Sequence, residues 1–146
     1  MISDEPFDWI TESTVCRVRR IFYVFGESAD ASRGAIELSF DSGKTVLIDS
    51  AADGQSLSFS DSEWADPFEG RMDNENQKYV AKFGKWSAFD LSTWAPYSLL
   101  IGCRVEAFRT SAPLVSSKSM FELYSSRALI ICLVEMDALR VFHGAG

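Results

Sequence analysis

Apolar and polar residues alternate in several short stretches of the chain, and this alternation predicts β-strands. Residues 36–41 alternate with a period of two, which places one face of a strand on a core. Asp41-Ser42-Gly43 then separates this strand from a second apolar stretch at residues 45–48, a spacing typical of a hairpin. Residues 129–134 are continuously apolar and predict a strand that is buried on both faces.

The order of these patterns recurs along the chain, which predicts an internal duplication. Cys16-Arg17-Val18 has a counterpart in Cys103-Arg104-Val105, and Ile36-Glu37-Leu38 has one in Phe121-Glu122-Leu123. Each copy then passes through an apolar stretch and ends on a further alternating run. These runs are Leu57-Ser58-Phe59 in the first copy and Leu139-Arg140-Val141 in the second.

The segment between the two copies follows a different pattern, which predicts one helix from Asp73 to Gly84. Asp73 or Asn74 can cap its start, and Glu75 in the first turn suits the helix dipole. Gly84 stands where a helix ends in a left-handed residue. The apolar stripe of this helix consists of Tyr79, Val80 and Phe83.

These patterns together predict a mainly β, α+β fold for a single domain over residues 1–146. Two antiparallel four-strand units, residues 15–60 and 102–142, arise from the duplication and pack as a sandwich or a partly open barrel. A helical linker over residues 61–101 covers an edge or an open end. One domain is the normal outcome at this chain length.

Charge is distributed unevenly over the chain, whose net charge is −7. Residues 1–75 hold 16 acidic and 6 basic residues, and residues 76–146 hold 5 acidic and 8 basic residues. An acidic chain is a poor match for a nucleic-acid-binding protein, which relies on basic contacts to phosphate. The asymmetry instead indicates an acidic side that attracts a basic partner.

The sequence contains no recognisable pattern of catalytic or metal-binding residues. Its single histidine, His143, lies near the end of the chain, and the cysteines at positions 16, 103 and 132 stand far apart. We therefore expect reduced, mostly buried thiols, no metal, no cofactor and no enzymatic activity. The absence of a long apolar run predicts no membrane span, and the N-terminal stretch lacks signal-peptide features, so a cytoplasmic location is expected.

Glu37 and Glu122 occupy matching positions in the two copies, which raises the question of a pair of catalytic carboxylates. Each is expected on the solvent-facing side of its strand. Arg17 and Arg104 also match, and a cross-strand pair between arginine and glutamate within each copy is the simpler interpretation.

The segment over residues 61–73 combines acidic side chains with two large aromatic ones. Aromatic anchors rimmed by charge are typical of protein interaction surfaces, whereas the alternative is a solvated loop whose aromatic residues enter the core. The predicted partner-binding residues are Asp61, Glu63, Trp64, Asp66, Phe68, Glu69 and Asp73.

Four short stretches within residues 35–105 resemble small uncharacterised bacterial proteins, some of which look like immunity proteins encoded beside secreted toxins. They are Trp64-Ala65-Asp66-Pro67-Phe68, Glu75-Asn76 through Tyr79-Val80, Gly84-Lys85-Trp86 and Leu100-Ile101-Gly102. The resemblance implies a non-enzymatic inhibitor that binds a protein partner, a basic toxin domain. An acidic surface suits that role because it speeds the capture of a basic protein.

The alternative function is that of a small β-barrel that binds a small apolar ligand, because such barrels hold ligands at their mouths. This alternative predicts an interior cavity on the order of 300 Å³ or more. Its lining would consist of Leu38, Phe40, Ile48, Leu123 and Ile131.

Overall fold

The alternating stretches of the sequence form strands in the computed structural model, which describes residues 9–51, 57–111, 120–135 and 138–145. The strands are β1 (Val15–Phe25), β2 (Ser28–Asp30), β3 (Ile36–Phe40), β4 (Thr45–Ser50), β5 (Leu57–Ser60), β6 (Lys85–Asp90), β7 (Val105–Ser111), β8 (Met120–Ser125), β9 (Ala128–Glu135) and β10 (Ala138–Ala145). Helix α1 spans Asn74–Phe83, and a 3-10 turn spans Tyr97–Leu99. These elements confirm the predicted mainly β, α+β fold.

The strands form two antiparallel sheets whose inner faces share one hydrophobic core. The first sheet has six strands, in the order β2-β1-β3-β4-β5 with β6 also paired to β1, and the second has four, in the order β10-β9-β8-β7. Over the described residues neither sheet closes into a barrel. The first sheet has two strands more than predicted because β2 and β6 both pair with the long strand β1.

Each sheet contains a four-strand meander, β1-β3-β4-β5 in the first and β7-β8-β9-β10 in the second. Glu37 and Glu122 hold equivalent positions, since Arg19 faces the first and Arg109 faces the second. The Cys-Arg-Val match is offset from this register. The first strand of each meander has an irregularity directly after a buried valine, Val15 or Val105, so it is these valines that correspond.

The predicted helix is confirmed between its two expected caps. The Asp73 carboxylate accepts a hydrogen bond of 2.8 Å from the Asn76 N–H, and Gly84 follows the helix with φ +78°. A Cβ at Gly84 would overlap the carbonyl oxygen of Val24, so close approach of the two backbones also requires glycine. The linker is not only helical, however, because residues 85–90 form β6 against β1.

The inner faces of both sheets supply the core. The predicted ligand-lining residues Leu38, Phe40, Ile48 and Leu123 are fully buried within this one cluster. Ile131 instead lies opposite Glu122 on the outer face, because strand β9 alternates buried with half-buried side chains rather than being buried on both faces.

The three cysteines are free thiols. Cys103 and Cys132 are buried, and burial raises the pKa of the Cys132 thiol to about 12. Cys16 differs from the expected buried thiols because its side chain is exposed. It lies at the irregularity in β1, where the strand departs from regular alternation.

Candidate functional site

Glu37 lies at the centre of the outer face of the first sheet, and its side chain is completely buried. Its two carboxylate oxygens accept hydrogen bonds of 2.7 Å each from Nε and Nη2 of Arg19. Arg17 Nη2 donates at 3.2 Å, and the backbone N–H of Trp64 donates at 2.7 Å. The prediction that Glu37 faces solvent is therefore wrong, because the chain around Trp64 covers this face of the sheet.

The surroundings of Glu37 keep its carboxylate ionised. Burial raises its pKa, but the hydrogen bonds from Arg19 and Trp64, together with the charges of Arg19 and Arg17, outweigh burial and leave the pKa below its usual value. In turn, the hydrogen bond to Glu37 is the main cause that raises the pKa of Arg19. A carboxylate that accepts several hydrogen bonds and stays ionised is a poor general acid. The pair of Glu37 and Arg19 therefore stabilises the structure rather than providing a catalytic acid.

The predicted arginine–glutamate pairing holds in the first copy and fails in the second. Arg17 contacts Glu37 as expected. Arg104 instead forms an ion pair with Glu12, and Glu122 lies 3.7 Å from Arg109. Arg104 lies just before β7, on a part of the chain that pairs with Thr14 rather than with β8.

Three of the predicted partner-binding residues attach the acidic segment, residues 61–69, to the sheet. Glu63 accepts a hydrogen bond of 2.7 Å from Arg17 Nη2, and the Trp64 carbonyl accepts one of 3.0 Å from Arg19 Nη2. Asp66 forms an ion pair with Lys85 of β6. Burial raises the pKa of Asp66, and the hydrogen bonds from Lys85 and the Phe68 N–H more than reverse that effect.

Two other acidic residues of the segment, Asp61 and Glu69, are exposed. Among the described residues, neither of them takes part in an ion pair. Asp73 is also exposed, but its carboxylate caps α1. The charges of Asp61 and Glu69 are therefore the ones that the segment offers to a partner.

A groove of about 640 Å³ runs beside the acidic segment on the same outer face. We name it the aromatic groove, because its lining includes five aromatic residues: Tyr23, Trp64, Phe68, Tyr79 and Trp86. The ring centroids of Tyr23 and Trp86 are 5.3 Å apart, and those of Phe68 and Tyr79 are 6.0 Å apart. Tyr79 and Trp86 keep 51% and 43% of their surface exposed, so this apolar surface is open to solvent.

The apolar side of α1 lies at the protein surface and not in the core, since no residue of this helix is buried. The rings of Tyr79 and Phe83 contact each other in a tilted arrangement, with centroids 5.0 Å apart, and both are about half exposed. The Tyr23 hydroxyl donates a hydrogen bond to the Phe83 carbonyl and so ties the end of the helix to β1. An amphipathic helix normally buries its apolar face against the core. A contiguous apolar patch that stays exposed is typical of an interaction surface.

A wider cleft of about 920 Å³ lies on the other side of the acidic segment. Its lining carries both signs of charge, with Lys44 and Arg17 as the cations and Asp61 and Glu63 as the acids. The Lys44 ammonium lies 5.2 Å from the ring centroid of Trp9. Arg17 forms an ion pair with Glu63 in this cleft, whose lining is mixed in charge rather than largely aromatic.

Sequence reasoning found Trp64 and Phe68 but missed Tyr23, Trp86 and Asp49, which line the same groove. The signal for Trp86 was the short alternation of polar and apolar residues in Lys85-Trp86-Ser87-Ala88, directly after Gly84. That alternation was hidden within a linker interpreted as helical.

Within the described part of the chain, no helix is long and apolar enough to cross a membrane. The same residues contain no group of three histidine, cysteine, aspartate or glutamate side chains placed to hold a metal ion. Comparisons with protein-family models, with curated proteins and with solved structures find no match for this chain.

Proposed function

We propose that this protein is a non-enzymatic, cytoplasmic protein-binding module that acts as an immunity-like inhibitor of a basic toxin domain. Its binding surface would be the outer face of the first sheet, where the acidic segment borders the aromatic groove. The observation that carries the proposal is that one segment holds the exposed charges of Asp61 and Glu69 and also supplies Trp64 and Phe68 to the groove. In that groove, Tyr79 and Trp86 are about half exposed.

The two parts of this surface have separate physical roles. Exposed acidic side chains on a chain of net charge −7 attract a basic partner and raise its association rate. Tyrosine and tryptophan are the residues most often found at binding hot spots, where they slow dissociation by filling pockets of the partner. A surface with both properties suits an inhibitor that must capture its target quickly and hold it.

The buried network beneath the surface supports the same role. Glu37, Arg17 and Arg19 hold Glu63 and Trp64 in one arrangement before any partner arrives. A surface ordered in advance loses less conformational entropy on binding and therefore binds more tightly. The network also engages the carboxylate that would otherwise be the strongest catalytic candidate.

The second candidate function is binding of a small apolar ligand. The site would be the aromatic groove rather than the interior of a barrel. The volume of the aromatic groove, about 640 Å³, lies within the range of small-molecule sites. Such a ligand would occupy the groove without needing Asp61 or Glu69. The dependence of binding on these two acids therefore separates the two functions.

The proposal is tested by capture of the product of the adjacent gene on the immobilised protein. Asp61→Lys and Glu69→Lys should each reduce capture, because each places a positive charge against a basic partner. Glu106→Lys is the matched control, because Glu106 is exposed on the other sheet. This substitution changes the net charge by the same amount. Failure of the unchanged protein to bind, or equal capture by all three variants, would overturn the proposal.

A further inference from the structure

Among the residues that the structure describes, one carboxylate lines the aromatic groove, that of Asp49, which follows the buried part of β4 and lies on the outer face. Asp49 accepts a hydrogen bond of 2.7 Å from its neighbour, the Ser50 N–H. No cation among the described residues forms an ion pair with it. Asp49 is exposed, but partial burial of its carboxyl raises its pKa, and the hydrogen bonds from Ser50 offset only part of that rise.

The cations that line the groove are engaged elsewhere. Lys85 forms its ion pair with Asp66, and Arg33 Nε lies 3.6 Å from the Asp30 carboxylate. Asp49 is therefore an exposed negative charge beside a largely aromatic lining, and the positive charges that the structure describes in this lining are already paired. This imbalance favours a positively charged occupant.

The rings of the groove favour the same charge. The face of an aromatic ring is electron-rich, and a cation within about 6 Å of its centroid is attracted to it, most strongly over tryptophan. Trp64, Trp86 and Tyr79 line the groove, so a cation bound there would lie among their rings. An anionic occupant would be repelled by the Asp49 carboxylate, and a purely apolar one would desolvate that carboxylate without giving it a partner.

We propose that the aromatic groove binds an arginine side chain of the protein partner, with the guanidinium stacked on the groove rings and paired with Asp49. Arginine fits better than lysine because its planar guanidinium both stacks on aromatic rings and donates two parallel hydrogen bonds to a carboxylate. This inference rests on the proposed function, since it names how the partner is recognised at that surface.

The direct test uses N-acetylarginine amide as the probe and follows the tryptophan indole N–H signals of the ¹⁵N-labelled protein by NMR. Trp64 and Trp86 lie in the groove, whereas Trp9 and Trp94 lie outside its lining and serve as internal controls. We expect saturable shifts at Trp64 and Trp86 only. N-acetylcitrulline amide, which has the same shape without the charge, should bind at least about fivefold more weakly.

Variants separate the role of Asp49 from a general effect of negative charge. Asp49→Asn removes the charge with little change in shape and should weaken binding of the probe about fivefold. Glu106→Gln, which removes one exposed negative charge from the other sheet, should leave the affinity for the probe unchanged. An unchanged dispersion of the amide signals in each variant verifies the fold. Equal binding of citrulline, equal shifts at all four indoles, or unchanged affinity in Asp49→Asn would each overturn the inference.

The outcomes also distinguish this inference from the proposed function. If the probe binds at the groove but the adjacent gene product is not captured, the arginine site stands and the inhibitor function falls. If the partner is captured through Asp61 and Glu69 but Asp49→Asn binds both partner and probe normally, the function stands and the arginine site falls.

Discussion

The two sheets carry the same arginine–glutamate pair at the same register, yet the pairs lie in opposite environments. In the first sheet Glu37 is fully buried and receives two 2.7 Å hydrogen bonds from Arg19. In the second sheet the side chains of Glu122 and Arg109 are 20% and 70% exposed, and their charged groups are 3.7 Å apart. The difference comes from the acidic segment, which covers Glu37, whereas Arg109 remains open to solvent.

This contrast shows that a strand's own sequence did not decide the role of its glutamate. Ile36-Glu37-Leu38 and Phe121-Glu122-Leu123 have the same pattern and the same inward-facing apolar residues. What distinguishes them is the backbone N–H of Trp64, which lies far along the chain and donates to Glu37. In the first sheet the pair became an attachment point for a candidate binding surface.

The largest expected effect is on stability when Glu37 is neutralised. Glu37→Gln leaves the guanidinium of Arg19 in a mostly buried place without its counter-charge, and we expect a loss of roughly 3 kcal/mol in the free energy of unfolding. Glu122→Gln, the matched control, should cost about 0.5 kcal/mol or less, because its partner Arg109 is 70% exposed and the two charged groups are 3.7 Å apart. Urea unfolding of both variants gives the comparison, and equal losses would contradict it.

The dependence of stability on pH should also differ between the two copies. The pKa of Glu37 is lower in the folded than in the unfolded state, so its contribution is fully present above the unfolded value, roughly 4.3, and is lost as pH falls through the folded value. The stability difference between the unchanged protein and Glu37→Gln should therefore shrink below about pH 4.

Subtracting the two proteins removes the effects of other groups with shifted pKa. Asp66 and Asp90 have lowered pKa values and act in the same direction as Glu37, whereas the raised pKa of Asp49 acts in the opposite direction. All three are common to both proteins. The measurement is the free energy of unfolding of both proteins between pH 7 and pH 3. A difference between them that stays constant over this range would contradict the prediction.

A smaller effect is expected at the ion pair that fastens the acidic segment to β6. Lys85→Met removes the partner of Asp66 at a partly buried site and should cost about 1 kcal/mol, with faster amide exchange at Phe68. Arg104→Met is the control, because its pair with Glu12 is exposed and should contribute less than about 0.5 kcal/mol. Amide exchange that is equally slow in both variants would show that the segment is held by other contacts.

Much of the fold could be predicted because its signals are local. A period of two identified β3, and the capping residues Asp73 and Gly84 defined α1. The runs ending the two copies, Leu57-Ser58-Phe59 and Leu139-Arg140-Val141, indeed form the last strand of each meander. Each of these features depends on side chains within a few residues of one another.

The remainder could not be predicted because it depends on distant parts of the chain. The burial of Glu37 requires the segment at Trp64, and β6 is stabilised by pairing with β1 rather than by its own half-exposed side chains. The Cys-Arg-Val identity misled because Cys103 precedes its strand while Cys16 lies within one. For the site, composition pointed to the acidic segment, but only the fold brings Asp49 and Tyr23 beside it.

The central claim is that a basic protein binds to the outer face of the first sheet, where the acidic segment lies. The most direct test is to measure the association rate constant at low and high salt. Asp61→Lys and Glu69→Lys should each slow association about three- to tenfold at low salt and flatten its salt dependence, because exposed charges act over a Debye length of ~8 Å at physiological salt. Glu106→Lys, with the same change in net charge, should retain most of the rate. Association rates that are equal for all three variants at every salt concentration would contradict the account.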